Sequence, residues 1–181
     1  MAMCADRTVI ITGAGGGLGR AYALAFAAQG ANVVVNDIRA EAAEDVAGEI
    51  RANGGQAIAN SDDITTLATA QRIVDAALAA FGEVHVLINN AGVLRDRMFI
   101  SLSEEDWDMV MRVHLKGHYC LANILGRRWR DLAKAGTPVD ARIINTSSGA
   151  GLQGSVGQSN YSAAKGGIAS LTLVQAAEVA R

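Results

Sequence analysis

Five times along this chain a short strand-like run turns into a longer, Ala-rich amphipathic stretch. Thr8–Ile11 precedes a helix over Leu18–Gln29, closed by Gly30. Asn32–Asn36 precedes one near Ala40–Asn53, stopped by Gly54-Gly55. Gln56–Asn60 leads to a helix over Thr65–Phe81, with Gly82 just beyond its end, where a left-handed residue is wanted. Val84–Asn89 leads to a long helical region from Ser103 to Lys134, for which Ser103 is the expected N-cap and Glu104 and Glu105 favour the dipole. Arg142–Thr146 is the fifth run, and the last helix starts at Gln158. Strands alternating with long helices demand a parallel sheet with right-handed crossovers, covered on both faces. The expected class is therefore α/β, a doubly wound parallel sheet.

Length and composition agree with that class. At 181 residues the chain is read as one domain spanning 1–181. Half its residues are hydrophobic, only 4% are aromatic, and Pro138 is its single proline. The core must then be built from Ala, Val, Ile and Leu. A formal net charge of −2 offers no basic field for a phosphodiester backbone, so nucleic acid is not an expected partner. Cys4 and Cys120 lack metal-ligand spacing, which leaves no metal site and reads as free thiols in a reducing cytosol. The N-terminal run MAMCADRTVIITG lacks a signal-peptide layout, and no apolar stretch approaches the ~20 residues of a membrane span. A cytoplasmic location without membrane contact is the expectation.

Between the first strand and the first helix lies Thr12-Gly13-Ala14-Gly15-Gly16-Gly17-Leu18-Gly19. Gly13 permits a tight turn, Gly17 allows close approach of a pyrophosphate, and Gly19 allows close helix packing. The helix N-terminus offers free N–H groups and a positive dipole end to phosphates. A flexible turn explains glycines equally cheaply, and it is the strand–helix position that favours a dinucleotide and a Rossmann fold. Asp37 closes the second strand, at the distance suited to accepting the adenosine ribose hydroxyls. A carboxylate there repels a 2′-phosphate, so NAD is favoured over NADP. Arg39 beside it leaves the second cofactor open, and a strand-end Asp making a turn is the plainer alternative.

Tyr161 and Lys165 stand four apart at the start of the last helix, on one face. A free phenol ionises near pH ~10, and a neighbouring ammonium favours the phenolate. Alone, such a pair is more often a surface contact. Here it belongs to an ordered set. The glycine loop matches TGxxxGxG, Asn89-Asn90-Ala91-Gly92 matches NNAG, Tyr161 and Lys165 match YxxxK, and Ser148 precedes Tyr161 at matching spacing. Asp63-Ile64 matches an acidic-aliphatic pair. From Thr8 onward the chain resembles the short-chain dehydrogenase/reductase family.

The resemblance implies roles. Tyr161 would be the acid/base at the substrate oxygen, Ser148 would hydrogen-bond that oxygen, and Lys165 would tune Tyr161 and bind the nicotinamide ribose. Gly13, Gly15, Gly16, Gly17, Leu18, Gly19, Asp37, Asp63, Ile64, Asn90, Ala91 and Gly92 would hold the cofactor, with Asp63 and Ile64 at the adenine. Ser147 is a neighbour that the spacing does not favour. Many members carry an asparagine in the long helical region as part of a proton relay; here that place is His114. Its imidazole is a candidate relay member by virtue of an unperturbed pKa near 6.5, with a packing role as the alternative.

The runs GAGGGLGRAYALAF, VVVND, NNAGVLRD and RVHLKG further resemble the (3R)-hydroxyacyl-CoA dehydrogenase domain of peroxisomal multifunctional enzyme type 2 and its bacterial relatives. That branch implies NAD-linked oxidation of 3-hydroxyacyl-CoA thioesters or steroid alcohols, and it too carries a histidine at the place of His114. An NADP-dependent 3-oxoacyl carrier-protein reductase and a non-catalytic dinucleotide sensor are the competing readings. The family also implies a homo-oligomer, formed through the helix around Trp107–Leu125 and the helix after Tyr161. It further implies a sixth strand, a substrate loop and a seventh strand after Arg181. On that reading the chain is C-terminally incomplete, and its fifth strand is an exposed parallel edge.

Overall fold

A computed structural model describes residues 2–179. Five parallel strands form one sheet in the order β3-β2-β1-β4-β5: β1 (Thr8–Thr12), β2 (Asn32–Asn36), β3 (Gln56–Asn60), β4 (Val86–Asn89) and β5 (Arg142–Asn145). The strand order reverses between β1 and β4, so their C-terminal ends flank the crevice where ligands of such sheets bind.

Alternation along the strands separates two cores. Val9 and Ile11 point to one face, with Val33, Val35 and Ile88, beneath α1 (Gly17–Ala28) and α2 (Ala40–Ala52). Ile10, Val34 and Leu87 point to the other, against α3 (Leu67–Phe81), where Ile73 and Val74 are buried. That second face also takes Leu121, Leu125 and Trp129 of α5 (Gly117–Lys134). Burying both faces explains why the central strands read as continuous apolar runs. At the sheet edge, β5 leaves Ile144 46% exposed.

Glycine ends α3 as expected, with Gly82 at φ +80°, and the Ser103 hydroxyl accepts the Asp106 N–H at 3.1 Å. The long helical region departs from expectation. It is α4 (Glu104–Met111), a π-helical turn over Arg112–Lys116, then α5. The Gly117 N–H reaches back five residues to Arg112 O. A Cβ on Gly117 would stand 2.7 Å from Ile64 Cδ1, so the helix packs closely on Ile64 at that glycine. Such π-turns re-aim side chains and cluster at functional sites; this one carries His114. A short α6 (Gly149–Gln153), also beyond the expected elements, precedes α7 (Ser159–Val179). Gly151 and Gly166 let α6 lie directly on α7: a Cβ on Gly151 would be 2.5 Å from the Gly166 nitrogen.

Candidate active site

The glycine loop is held from below. Thr12 Oγ1 accepts the N–H groups of Asn90 and Ala91, both at 3.0 Å, and Asn90 Nδ2 donates to Thr12 O at 3.0 Å and Gly13 O at 3.3 Å. The NNAG segment thus fixes the turn carrying the glycines. Gly13 and Gly17 take φ values of +64° and +52°, left-handed backbone that favours glycine. A Cβ on Gly19 would fall 2.2 Å from Gly13 O, which makes glycine there a packing requirement. The first turn of α1 has neither a side-chain cap nor an acidic residue, and Gly17 and Leu18 are exposed in it. Its N–H groups remain available to an anion.

Asp37 is 7% exposed at the end of β2. Its Oδ2 accepts the Gly15 N–H at 3.0 Å, and its Oδ1 accepts the Arg39 backbone N–H at 3.0 Å and Nε at 3.1 Å. Burial pushes its pKa up, but the Arg39 and Gly15 hydrogen bonds outweigh that and hold it below the usual aspartate value. The carboxylate is therefore ionised and lies directly against the glycine loop. Asp63 is exposed, its carboxylate tied to Thr65 through the backbone N–H at 2.9 Å and the hydroxyl at 2.8 Å, while Ile64 is buried.

Tyr161 and Lys165 occupy successive turns of α7, with Lys165 Nζ 5.6 Å from the phenol ring centroid. The lysine is 2% exposed and donates to Thr146 O at 2.5 Å. Burial lowers its pKa to about 8. Ser148 is half-buried and starts α6, its Oγ accepting the Ala150 N–H at 3.2 Å. Ser147, by contrast, spends its hydroxyl on Lys165 O at 2.8 Å, anchoring the helix.

His114 enters from the π-turn, edge-on to the Tyr161 ring with centroids 5.2 Å apart. Its Nε2 lies 2.8 Å from Val93 O and 3.0 Å from Val93 N. Burial is the main cause of a pKa near 4, helped by the Lys165 charge and opposed by the Val93 carbonyl. At neutral pH the ring is uncharged and lies against the Val93 backbone. Gly92 packs against it so closely that a Cβ would be 2.3 Å from His114 Cε1.

The structure thus brings Tyr161, Lys165 and His114 together and places Ser148 on the adjoining short helix. Sequence reasoning missed Thr146 and the Gly151–Gly166 approach, which act through backbone groups and leave no residue-type signature, and it included Thr12 only as part of the glycine motif, without the bracing role of its hydroxyl. Among the described residues no three His, Cys, Asp or Glu side chains gather as a metal site, and no helix is long and apolar enough to cross a membrane.

Comparison with known proteins places this arrangement. The chain is 47% identical over 174 residues to peroxisomal multifunctional enzyme type 2 of Mus musculus, covering 91% of this chain and 22% of that protein. It is 46% identical to hydroxyacyl-CoA dehydrogenase ChsB1 of Mycobacterium tuberculosis, covering 97% of this chain and 57% of the other. A crystal structure of a short chain dehydrogenase from Mycobacterium avium superposes with a TM-score of 0.96 at 55% identity, covering 98% of this chain and 64% of that one. A 7α-hydroxysteroid dehydrogenase complexed with NADH and 7-oxo glycochenodeoxycholic acid superposes at 0.88 with 30% identity, covering 98% and 67%. The chain spans between about a fifth and two thirds of the length of these relatives. A profile of short chain dehydrogenase matches residues 7–181, and the chain belongs to that family.

Proposed function

We propose that the protein is an NAD-dependent oxidoreductase interconverting a secondary alcohol and its ketone. The observation that carries this reading is the convergence of Tyr161, Lys165 and His114 beside a glycine loop closed by the ionised Asp37. The residues fit a dinucleotide: Gly19 sits where any Cβ would strike Gly13 O, and the adjacent helix start has uncapped N–H groups. Gly13, Gly15, Gly16, Gly17, Leu18 and Gly19 would hold the pyrophosphate, Asp37 the adenosine ribose, and Asp63 and Ile64 the adenine. Asn90, Ala91 and Gly92 would line the nicotinamide side. When bound, the nicotinamide supplies or accepts the hydride.

The chain's own groups handle the proton. Tyr161 exchanges it at the substrate oxygen, and Ser148 donates a hydrogen bond to that oxygen and orients it. Lys165, buried and anchored to Thr146 O, brings a positive charge to 5.6 Å from the phenol ring centroid and would bind the nicotinamide ribose. His114 holds the ring from its edge. Asp37 disfavours a 2′-phosphate, and this supports NAD over NADP. Arg39, 66% exposed at its side chain and able to leave Asp37, supports the second reading, an NADP-linked 3-oxoacyl carrier-protein reductase.

A 3-hydroxyacyl-CoA or steroid alcohol is the substrate class we infer. Its support is the mycobacterial relative named for the former and the solved neighbour named for the latter. Exposed Leu94, Met98, Phe99, Leu152 and Val156 lie on the segments flanking Tyr161 and suit an apolar substrate. We also infer a homo-oligomer, through the groove of Met109, Met111, Leu115, Tyr119 and Leu171 on α4, the π-turn, α5 and α7, and a cytoplasmic location consistent with the free Cys4 and Cys120.

The test is nicotinamide absorbance with NAD and a panel of secondary alcohols in the intact protein. Turnover abolished by Tyr161→Phe is the expected result. A Tyr161→Phe protein as active as the native one would sink the reading, as would a strong NADP preference for its cofactor part.

A further inference from the structure

Asn160 immediately precedes Tyr161 and has no exposed surface, yet no part of the chemistry above uses it. Its carboxamide contacts three separate elements. Oδ1 accepts the Tyr161 N–H at 2.8 Å, satisfying one of the first-turn donors of α7 that has no partner within the helix. Nδ2 donates to Arg95 O at 3.2 Å, in the segment after the glycine of NNAG, and to Asp106 O at 3.3 Å, in α4. A buried amide with its donors and acceptor matched this way is rigid, because each lost partner leaves a desolvated polar group behind.

The consequence lies in what these elements carry. Arg95 is two residues from Val93, whose backbone N–H and C=O both lie within hydrogen-bond reach of His114 Nε2, which bonds one or the other according to its tautomer. His114 in turn meets the Tyr161 ring edge-on. The chain of contacts from Asn160 through the 93–95 segment to His114 therefore returns to the phenol, while Asn160 also grips the Tyr161 backbone directly. Neighbouring links brace the same joint: Arg97 N–H donates to Gly157 O at 2.8 Å, and Gln158 Nε2 donates to Asp96 Oδ2 at 2.9 Å. Those links are at the surface; Asn160 is the buried one, and its side chain accepts the Tyr161 N–H.

We propose that Asn160 is a positioning residue that locks the phenol of Tyr161 in register with His114 and the 93–97 segment. The inference rests on the proposed acid/base role of Tyr161 for its kinetic consequence, and on the contacts alone for its structural one. Displacing a reacting group by around an ångström costs on the order of 100-fold in rate without weakening substrate binding.

The experiment compares the intact native protein with Asn160→Ala and Asn160→Asp. Aspartate retains the acceptor for the Tyr161 N–H and loses both donors; alanine loses all three bonds. Amide hydrogen exchange is expected to quicken over residues 93–97 in both variants and at Tyr161 in Asn160→Ala only. With a secondary alcohol, kcat is expected to fall by about 100-fold in Asn160→Ala with KM and dinucleotide affinity unchanged. Native-like kcat in a folded Asn160→Ala protein, or exchange unchanged at these amides, overturns the proposal. Parallel loss of dinucleotide affinity, or failure of both variants to fold, also overturns it, since an architectural role then suffices. If the native protein turns over no alcohol, the functional reading fails, and the exchange pattern still decides the positioning claim.

Discussion

The imidazole of His114 stands perpendicular to the phenol of Tyr161, at 88° and 5.2 Å between centroids, while its Nε2 faces both the C=O and the N–H of Val93. One ring nitrogen can serve only one of those two groups at a time, as donor or as acceptor. A carboxamide offers both at once. His114→Asn is therefore expected to keep the 93–97 segment in place and retain activity to within about tenfold, whereas His114→Leu removes the partner of the Val93 group that the ring serves and loses about 100-fold in kcat. Steady-state kinetics on the two variants check this; equal loss in both would instead assign the imidazole a role in moving the proton.

Lys165 costs the folded protein stability. Its pKa falls from 10.5 to about 8 because burial penalises the ammonium. Between those values the unfolded chain binds the proton that the folded one releases, so stability rises with pH across that window, and below it the full penalty applies. The shift corresponds to roughly 3 kcal/mol. Lys165→Met is expected to abolish turnover and to raise stability at pH 7, with its advantage shrinking as pH rises from 8 to 10.5. Denaturant melts at several pH values measure it; a destabilised Lys165→Met protein would show that the Thr146 hydrogen bond outweighs the cost of burial.

Acid should act through two buried imidazoles. Burial lowers His114 to about 4 and His118 to about 3, in both cases with a further contribution from the Lys165 charge. Unfolded histidines bind protons below about 6.5. The unfolded state thus binds more protons, and stability falls as pH drops from 6.5 toward 4, by roughly 3 kcal/mol per residue. His118→Phe keeps a planar ring in that fully buried place and is expected to move the acid midpoint of a circular-dichroism titration to lower pH. An unchanged midpoint would assign acid unfolding to other groups.

The strands and the glycine loop were legible because their signals are local. Val33, Val34 and Val35 alternate between two buried faces, and Gly82 and Ser103 stand where a helix end and start need them. The candidate catalytic set stood out through its order along the chain, since Tyr161 and Lys165 alone are an ordinary helical pair. What stayed hidden depends on tertiary approach. The π-turn at Arg112–Lys116 has no composition of its own, and the close packing of Gly117 on Ile64 beside it joins positions more than fifty apart. The surroundings of His114 were hidden too, since a sequence does not state that Gly92, Val93 and Lys165 will close around a ring. Asn160 carries no mark that separates it from a surface asparagine until Arg95 and Asp106 are seen to face it.

On the proposed reading, cofactor choice turns on Asp37 and its hold on Arg39. The carboxylate accepts from Gly15 N and from two Arg39 groups, and a Cβ on Gly15 would lie 2.8 Å from Asp37 Oδ2. A 2′-phosphate approaching this corner meets an ionised group with little room to move, whereas ribose hydroxyls can donate to it. Removing the carboxylate ends the repulsion and frees the Arg39 guanidinium, which lies about one contact from Gly16, to face the phosphate. A charged hydrogen bond is worth roughly 1.5–3 kcal/mol, which converts to about 10- to 100-fold in an affinity ratio. Asp37→Ala is thus expected to erode selectivity for NAD over NADP by that factor. Arg39→Ala, which leaves the carboxylate in place, should sharpen the selectivity. Titration of each variant with both dinucleotides measures the ratios. If Asp37→Ala weakens NAD and NADP equally, Asp37 serves to brace the glycine loop through Gly15, and selectivity resides elsewhere.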